Sequence, residues 1–414
     1  MKKDIKLQFL GGSNKVGSLS LMLQTNETSL IFDYGMTPSK PPTYPLQPPP
    51  VDHMFLSHSH LDHSGMTPYL YSINNQEINT TKLTAEVSNL LHKDSIKIAK
   101  MEGYAPLYSM KEVKETKTNS IFVESKGKKI IDNNNEIRFH SAGHIPGSLM
   151  FEFLGTRSFL FTGDFNTENT NLVEGTKPIK CDILCMEGTY AGREHPKKRE
   201  ELEKELIDKI EEVNLRGGIA ILPAFAVSRS QEMVLILKNS GFNIWYDGMG
   251  KKVSEIFLKY PKYLKSVKNL KNALNRIHLV HSEKGRKTAL KSDVIITSSG
   301  MMDGGPILSY MNKLKNDKKS SVILTGYQIK DTNSRLLVEK KKLNFYGVIE
   351  KVLCDVEYFD FSAHAGHSEL IEFAKNCKPE KIVLMHSDNR EALINPLSEF
   401  ADVYTPNDGE ILNL

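Results

Sequence analysis

The sequence predicts an α/β protein in which a metal-binding domain is interrupted by a second α/β domain. First, short β-rich runs repeatedly end on a polar residue that is able to do chemistry. Second, strand and helix patterns alternate from about residue 190 to residue 359, which is typical of a parallel-sheet α/β unit. Third, histidines suited to metal binding stand on both sides of that alternating region. A chain that returns to its first domain after completing a second one accounts for all three patterns.

Composition places the chain among ordinary soluble globular proteins. It has 414 residues, enough for two domains, with 39% hydrophobic and 25% charged residues. The first residues lack the apolar stretch of a signal peptide and no apolar run reaches membrane-spanning length, so we expect no membrane association. The cysteines are scattered without zinc-finger spacing, which favours a reducing, cytoplasmic location. A net charge of +4 permits a polyanionic partner without demanding one.

The predicted strands share one feature, a polar residue at or just beyond their end. Layered α/β proteins place their active sites at such ends, because loops there hold side chains against a rigid sheet. We therefore expect the following residues to be brought together: Asp33, His58, His144, Asp164, Glu187, His364 and His386.

The most informative segment is His58-Ser59-His60-Leu61-Asp62-His63, which directly follows an apolar run. On an extended strand end His58 and His60 point the same way, which suits one metal ion. Asp62 and His63 follow in the turn and can reach a second ion. Neutral imidazole nitrogens and carboxylate oxygens are the ligands that zinc prefers. The segment therefore predicts a metal site rather than packed core.

Two helices are predicted early in the alternating region. Ser228 followed by Gln231 predicts a capping box that opens a helix over residues 230–238. Residues 200–214 predict an amphipathic helix, with four apolar residues on one face: Leu202, Leu206, Ile210 and Val213.

Lysines recur at every third position from Lys259 to Lys271, interleaved with tyrosines and aliphatic residues. One interpretation is a basic face for a phosphate backbone. The other is the solvated side of an amphipathic segment. The sequence leaves both open.

Short motifs follow one another in order through nearly the whole chain. Beyond the histidine segment they are Leu10-Gly11-Gly12, Phe32-Asp33-Tyr34-Gly35, Ser141-Ala142-Gly143-His144, Thr162-Gly163-Asp164-Phe165, Glu187-Gly188-Thr189-Tyr190, Pro223-Ala224-Phe225-Ala226-Val227, Asp247-Gly248-Met249, Ser299-Gly300-Met301, Thr325-Gly326-Tyr327-Gln328 and Phe361-Ser362-Ala363-His364-Ala365. Together they resemble the metallo-β-lactamase fold nucleases that carry a β-CASP insert. Within that family, they most resemble the archaeal relatives of the cleavage and polyadenylation specificity factor nuclease.

The resemblance implies a fold and its boundaries. Residues 1–189 and 361–414 would form a metallo-β-lactamase αββα sandwich, and residues 190–360 an inserted β-CASP α/β domain. The chain departs from the family pattern in having Ser387-Asp388 after His386, where Gly-Glu is usual, and Lys15 where an acidic residue is common. A KH segment is not recognised, so the resemblance is to the KH-less homologues and leaves the mode of RNA capture open.

The resemblance also implies a centre of two Zn²⁺ ions per chain. The residues that correspond to the ligands of one zinc are His58, His60 and His144, and those of the other are Asp62, His63 and His386. Asp164 would bridge the two ions, and Asp33 would orient a ligand histidine from behind.

Further residues of the family pattern imply a mechanism. His364 would donate a proton to the leaving oxygen and Glu187 would orient it, while a hydroxide between the two ions attacks the phosphodiester. A phosphate of the substrate would lie against four residues of the insert, although a simple turn explains the same residues equally well: Ser299, Gly300, Gly304 and Gly305.

The activity that these residues imply is zinc-dependent hydrolysis of RNA, because family members that process RNA share a histidine at the position of His386. An endonuclease in RNA 3′-end processing or decay is the first expectation, and a 5′-to-3′ exoribonuclease is the alternative. A non-catalytic RNA-binding scaffold subunit and a small-molecule hydrolase are the other classes considered. Partners implied by the resemblance are RNA, a second copy of the chain, and a KH-bearing paralogue or other RNA-processing subunits.

Overall fold

The computed structural model describes residues 5–326, 328–329 and 331–414, and the chain divides into two compact units. Unit 1 comprises the residues up to Asn169 together with Val173–Glu194 and Ala363–Leu414, and unit 2 comprises Thr170–Leu172 and His195–Ser362. Tyr327 of the predicted motif and the first four residues lie outside the described residues.

Most strands are short, between two and six residues. In chain order they are β1 (Lys6–Gly11), β2 (Ser20–Gln24), β3 (Ser29–Phe32), β4 (His53–Phe55), β5 (Ile78–Thr80), β6 (Ile121–Phe122), β7 (Lys128–Ile130), β8 (Glu136–Ser141), β9 (Leu149–Leu154), β10 (Ser158–Phe161), β11 (Ile183–Glu187), β12 (Ala220–Pro223), β13 (Ile244–Asp247), β14 (His278–Leu279), β15 (Val294–Thr297), β16 (Ser321–Leu324), β17 (Lys342–Phe345), β18 (Val348–Lys351), β19 (Asp355–Tyr358), β20 (Lys381–Met385), β21 (Asp402–Tyr404) and β22 (Ile411–Asn413).

The α-helices alternate with the strands through most of the chain. They are α1 (Leu61–Ser64), α2 (Thr67–Asn74), α3 (Lys82–Met101), α4 (Met110–Thr118), α5 (Arg199–Leu215), α6 (Arg229–Ile236), α7 (Gly250–Lys259), α8 (Val267–Leu274), α9 (Glu283–Ala289), α10 (Pro306–Leu314), α11 (Asn333–Lys340), α12 (His367–Cys377) and α13 (Glu391–Ser398). Among the described residues, every helix is too short or too polar to cross a membrane.

Unit 1 is a sandwich of two sheets, each with seven strands among the described residues. The first sheet has the order β22-β1-β2-β3-β4-β5-β6 and the second β21-β20-β11-β10-β9-β8-β7. Strands β3 and β4 run parallel, with Phe32 opposite Phe55, and β10, β11 and β20 also run parallel. Because the carboxyl ends of parallel strands meet at one edge, the residues that follow them are gathered.

Successive side chains along a strand point to opposite faces of its sheet, and this alternation builds the layers of unit 1. Phe32 of the first sheet and Phe161 of the second lie in one core between the sheets, with ring centroids 5.0 Å apart. Burying each such ring stabilises the fold by about 1.5–3 kcal/mol. The next residues along the strands face outward: Ile31 packs with α2–α4, and Leu160 packs with α12 and α13. The layers are therefore α-β-β-α, and the predicted α/β sandwich class is confirmed.

Unit 2 is built on a parallel sheet, as the alternating pattern predicts. Its order is β14-β13-β15-β12-β16-β19, and each described pair is parallel. The predicted helix over residues 200–214 is confirmed as α5, which buries the four predicted apolar residues. Among the described residues an antiparallel hairpin, β17–β18, lies apart from this sheet.

One local prediction in unit 2 is wrong, and the lysine run divides between several elements. The predicted capping box is wrong, because Ser228 has φ 70° and makes no side-chain cap hydrogen bond, while Gln231 is buried and donates to the carbonyls of Ala226 and Gly250. The lysine run is not one element: α7 ends at Lys259, a 3₁₀ turn follows, and α8 begins at Val267. Its lysines are exposed.

Candidate active site

The histidine segment lies at the carboxyl end of β4. His58 and His60 follow the strand, and Asp62 and His63 lie in the single helical turn α1. His58 Nε2 is 3.1 Å from His60 Nδ1, so the two rings converge. The change from strand to helix thus gathers four potential metal ligands in six residues.

Strand ends of the second sheet bring three more side chains to the same place. His144 follows β8, Asp164 follows β10 and His386 follows β20. His386 adopts φ 51°, and its amide donates to the carbonyl of Gly12 beyond β1, at 2.9 Å. The backbone at His386 is therefore held against the first sheet as well as the second.

Asp164 presents its two oxygens to different histidines. Its Oδ2 is 3.7 Å from His58 Nε2 and 3.8 Å from His144 Nε2. Its Oδ1 is 3.2 Å from His63 Nε2 and 3.8 Å from His386 Nε2. One carboxylate therefore stands between two clusters, as a bridging ligand would.

The clusters can be described as metal groups, because each offers one potential ligand atom per residue and these atoms lie within 4.8 Å of one another. The first metal group is His58, His60, His144 and Asp164, and the second metal group is Asp62, His63 and His386. The same criterion also joins three residues beside the first group: Asp164, Glu187 and His364.

The chemistry of these groups fits metal ions. Buried polar atoms are normally hydrogen-bonded. Among the described residues, His63 Nε2, Asp164 Oδ1 and both ring nitrogens of His386 are buried without a hydrogen-bond partner. All belong to the metal groups, and a cation would satisfy them together.

Metal binding needs neutral imidazoles and ionised carboxylates, and the environments of His58, His144 and Asp164 favour those states. Burial holds the pKa of His58 and of His144 well below the ordinary range. Burial opposes ionisation of Asp164, but His63 and His386 hold its pKa well below the ordinary value. Burial likewise opposes charge on His63, yet Asp164 and Asp33 raise its pKa well above the ordinary value. The environment of His63 thus favours the protonated ring, and a metal ion bound there would displace that proton.

Asp33 lies behind the second metal group. It follows β3, is fully buried, and its Oδ2 is 2.7 Å from His63 Nδ1. With Nδ1 engaged by a carboxylate, the Nε2 atom of His63 faces Asp164. This is the arrangement that the resemblance implies for Asp33.

His364 and Glu187 form a hydrogen-bonded pair beside Asp164. His364 Nδ1 is 2.9 Å from Glu187 Oε1, and its Nε2 is 4.0 Å from Asp164 Oδ2. The amides of Phe165 and Thr189 donate to the two oxygens of Glu187, which fixes the carboxylate. Burial lowers the pKa of His364, but Glu187 and Asp164 outweigh it and raise that pKa to about 9.

The four predicted phosphate-contacting residues belong to unit 2, in the segment between β15 and α10. A Cβ at Gly300 would approach the Phe225 amide nitrogen to 2.9 Å, and Gly305 has φ 78°. Around Gly304 the space is open, with no atom within 4 Å of a built Cβ. A turn accounts for Gly300 and Gly305, and the role of these residues with Ser299 stays a prediction.

Residues near the site that sequence reasoning did not assign are Ser57, Gly35 and Tyr190. Ser57 lies between Asp33 and His58. Gly35 touches the Asp62 backbone. The Tyr190 ring stacks on His364 at 6.0 Å. Gly35 and Tyr190 lie in the quoted motifs and Ser57 directly precedes the histidine segment, but only the folded backbone reveals these contacts.

Comparison with protein families gives three matches along the chain. The metallo-beta-lactamase superfamily matches residues 14–208. The Beta-Casp domain matches residues 229–337. The Zn-dependent metallo-hydrolase RNA specificity domain matches residues 349–403.

Curated relatives match over nearly the full length. The probable RNase MJ4 of Methanocaldococcus jannaschii is 34% identical, over 99% of this chain and 100% of the relative. RNase aCSPSF2 of Saccharolobus solfataricus is 33% identical, over 99% of this chain and 85% of the relative. Transcription termination factor FttA of Pyrococcus abyssi is 31% identical, over 94% of this chain and 67% of the relative. A crystal structure of a protein of unknown function from Enterococcus faecalis V583 shares the fold, with a TM-score of 0.64 at 15% identity, over 99% of this chain and 100% of that one.

Proposed function

The chain belongs to the metallo-beta-lactamase superfamily and carries a Beta-Casp domain, and on that premise we propose that it is a metal-dependent ribonuclease. The observation that carries the proposal is Asp164, whose two oxygens face separate metal groups while the His364–Glu187 pair stands beside it. RNA as the substrate is supported by the RNA specificity domain and by relatives named as RNases.

We propose two zinc ions per chain. His58, His60 and His144 would hold one, Asp62, His63 and His386 the other, with Asp164 shared. Zinc, when bound, supplies a water of lowered pKa as nucleophile and neutralises phosphate charge. The match to a zinc-dependent metallo-hydrolase domain and the unpartnered buried nitrogens support the metal.

The protein's own residues then supply the proton transfer. His364 donates its Nδ1–H to Glu187 and keeps Nε2 on the side of Asp164. Burial opposes a charge on this ring, but the hydrogen-bonded Glu187 carboxylate raises its pKa and so favours the imidazolium that would protonate the leaving oxygen of the cut strand. Glu187 acts as a positioning residue, because its carboxylate is itself held by two backbone amides.

We propose endonucleolytic cutting in RNA 3′-end processing as the activity, with 5′-to-3′ exonuclease action as the second candidate. The relatives named as transcription termination factors favour the first. Residues 1–189 and 361–414 would form the metallo-β-lactamase domain and residues 190–360 the β-CASP domain. Ser299, Gly300, Gly304 and Gly305 would contact a backbone phosphate, and assembly with a second copy or a KH-bearing paralogue stays a prediction of the resemblance.

The test uses a circular RNA beside its linear 5′-monophosphate form, with zinc-loaded wild type and three variants. Asp164→Ala and His364→Ala should each lose about 10²–10⁴-fold in cleavage rate. His140→Ala is the matched control, because His140 pairs with Glu152 at 2.8 Å outside the site, and it should keep the wild-type rate.

Cutting of the circle establishes an endonuclease. Cutting of the linear form alone establishes a 5′-end-dependent exonuclease. Cutting of neither by the zinc-loaded wild type, or full activity of Asp164→Ala, contradicts the proposed function. Binding of RNA without cutting would assign the protein to the scaffold class.

A further inference from the structure

Asp33 and Ser57 form a fully buried hydrogen-bond cluster that contacts one histidine of each metal group. Asp33 Oδ1 accepts from the Ser57 amide at 2.7 Å. Asp33 Oδ2 lies 2.7 Å from Ser57 Oγ and 2.7 Å from His63 Nδ1. Ser57 Oγ in turn lies 3.0 Å from His58 Nδ1. A chain of contacts thus runs from His63 in the second metal group to His58 in the first.

The number of available protons fixes the donor and the acceptor of each hydrogen bond between His63 and His58. A carboxylate only accepts, so His63 Nδ1–H and the Ser57 hydroxyl both donate to Asp33. The hydroxyl has one proton, and with that proton given to Asp33 its oxygen can only accept from His58. Both imidazoles therefore carry hydrogen on Nδ1, which leaves Nε2 as the atom that each would offer to a metal ion. Those Nε2 atoms face Asp164, at 3.7 Å for His58 and 3.2 Å for His63.

We propose that Ser57 is a positioning residue that relays the Asp33 carboxylate to His58, so that one carboxylate sets the tautomer of a ligand in each metal group. The inference rests on the proposed pair of zinc ions. It connects a ligand of one ion to a ligand of the other through Ser57 and Asp33. Loss of the Ser57 hydroxyl should affect the ion held by the first metal group. Loss of the Asp33 carboxylate should affect both ions.

The other ligands of the first metal group do not use this relay. His144 Nδ1 donates to the carbonyl of Ala363 at 2.7 Å, which fixes its tautomer independently. His60 has Nδ1 turned towards the Nε2 atoms of His58 and His144, at 3.1 Å and 3.2 Å. Removal of the Ser57 hydroxyl should therefore weaken one ligand of the first metal group and leave its neighbours in place.

The test measures zinc affinity by competition with a chromophoric chelator, in the absence of RNA. Ser57→Ala should lower the affinity for one zinc ion about 10–100-fold and leave the second within about threefold. Asp33→Asn should lower both. Ser64→Ala is the matched control, since it also removes a buried hydroxyl from this segment, one that donates to the Ser59 carbonyl at 2.9 Å, and it should bind both ions as wild type does.

A second readout follows the tautomers directly. In the zinc-free protein with ¹⁵N-labelled histidine, wild type and Ser64→Ala should show His58 protonated on Nδ1, and Ser57→Ala should show a mixture of tautomers. Wild-type zinc affinities in Ser57→Ala, or an unchanged His58 tautomer, would overturn the relay. Neither readout uses RNA, so the relay and the proposed ribonuclease activity are tested separately. If the wild type binds two zinc ions and shows the expected tautomers but cuts no RNA, the proposed ribonuclease activity is contradicted and the relay is not.

Discussion

At the scale of single residues, Gly35 decides where the Asp62 backbone can lie. A Cβ built at Gly35 would stand 1.6 Å from the Asp62 carbonyl oxygen and 2.7 Å from the His63 amide nitrogen. That carbonyl also accepts from the Leu19 amide at 2.8 Å, and the Gly35 amide donates to the Leu19 carbonyl at 3.0 Å. Glycine is therefore required here by the close approach of two backbones.

Gly35→Ala should cost the protein zinc. The methyl group would force the Asp62–His63 backbone away by roughly 1.5 Å or more to restore van der Waals contact. We expect at least one zinc ion fewer per chain by metal analysis. Gly285→Ala in α9 is the control: its nearest atom would be Val280 Cγ1 at 3.4 Å, so it should keep its zinc and gain about 0.5–1 kcal/mol from helix propensity. Equal zinc content in both variants would contradict this reading of Gly35.

His92 should make stability depend on pH. Its Nε2 donates to the Ser64 carbonyl at 2.9 Å, and burial lowers its pKa from 6.5 to about 4. The unfolded chain binds a proton more readily than the fold between these values. The stability from neutral His92 is therefore fully present above pH 6.5 and is lost as pH falls towards 4, by about 1.4 kcal/mol per pH unit.

Urea unfolding at several pH values tests this dependence. His92→Gln keeps a donor for the Ser64 carbonyl and removes the titration, so its loss of stability between pH 6.5 and pH 5 should be smaller by about 2 kcal/mol. His281→Gln, at an exposed position, should follow wild type. A wild-type slope in His92→Gln would contradict the assignment.

Residue types and strand ends reveal much of the candidate site from the sequence. His58 and Asp164 stand where parallel strands finish, and α/β proteins place their active sites at such ends. The role of Ser57 could not be read in this way, because its partner Asp33 lies 24 positions away. Serine beside histidine has no distinctive chemistry until the backbone brings a carboxylate to it.

At the scale of elements, the spacing of apolar residues predicts a helix or a strand well where one face of that element is buried. Helix α5 is predicted closely because its four apolar residues fall on one buried face. The β17–β18 hairpin is not predicted, since its turn uses Tyr346 with φ 54° before Gly347, and its residues Val348 and Ile349 are exposed. A tyrosine in the left-handed region carries no turn signal in the sequence.

Two helices of unit 2 are joined by a buried ion pair. Arg199 at the start of α5 places Nη2 2.7 Å from Glu232 Oε1 in α6, and their side chains are 13% and 3% exposed. The same oxygen accepts from the amide and the side chain of Asn171. Removing the cation would leave a buried carboxylate without a counter-ion.

Arg199→Met should therefore destabilise unit 2 by about 3 kcal/mol, and adding Glu232→Gln to it should recover most of the loss. Arg335→Met breaks the exposed pair with Glu339, 44% and 48% exposed, and should cost no more than about 0.5 kcal/mol. Urea unfolding followed by the fluorescence of Trp245 in β13 measures both. Equal costs for the two arginines would contradict the role given to the buried pair.

At the scale of the whole molecule, the metal groups join the two sheets of unit 1. His58 and His63 follow β4 of the first sheet, whereas Asp164 and His386 follow β10 and β20 of the second. A bound ion would therefore link loops from both layers, and the unfolded chain cannot reproduce that geometry. An ion present at 100 times its dissociation constant would stabilise unit 1 by about 2.7 kcal/mol.

Removing zinc should therefore lower the stability of unit 1 while leaving unit 2 unchanged. The single tryptophan of the chain, Trp245, lies in β13 of unit 2 and reports the unfolding of that unit. On treatment with a chelator we expect the calorimetric transition of unit 1 to fall in temperature while the Trp245 fluorescence midpoint stays constant. Added zinc should restore the first transition. A chelator that shifts both midpoints by the same amount would show that the units unfold as one, and that the metal stabilises the entire chain.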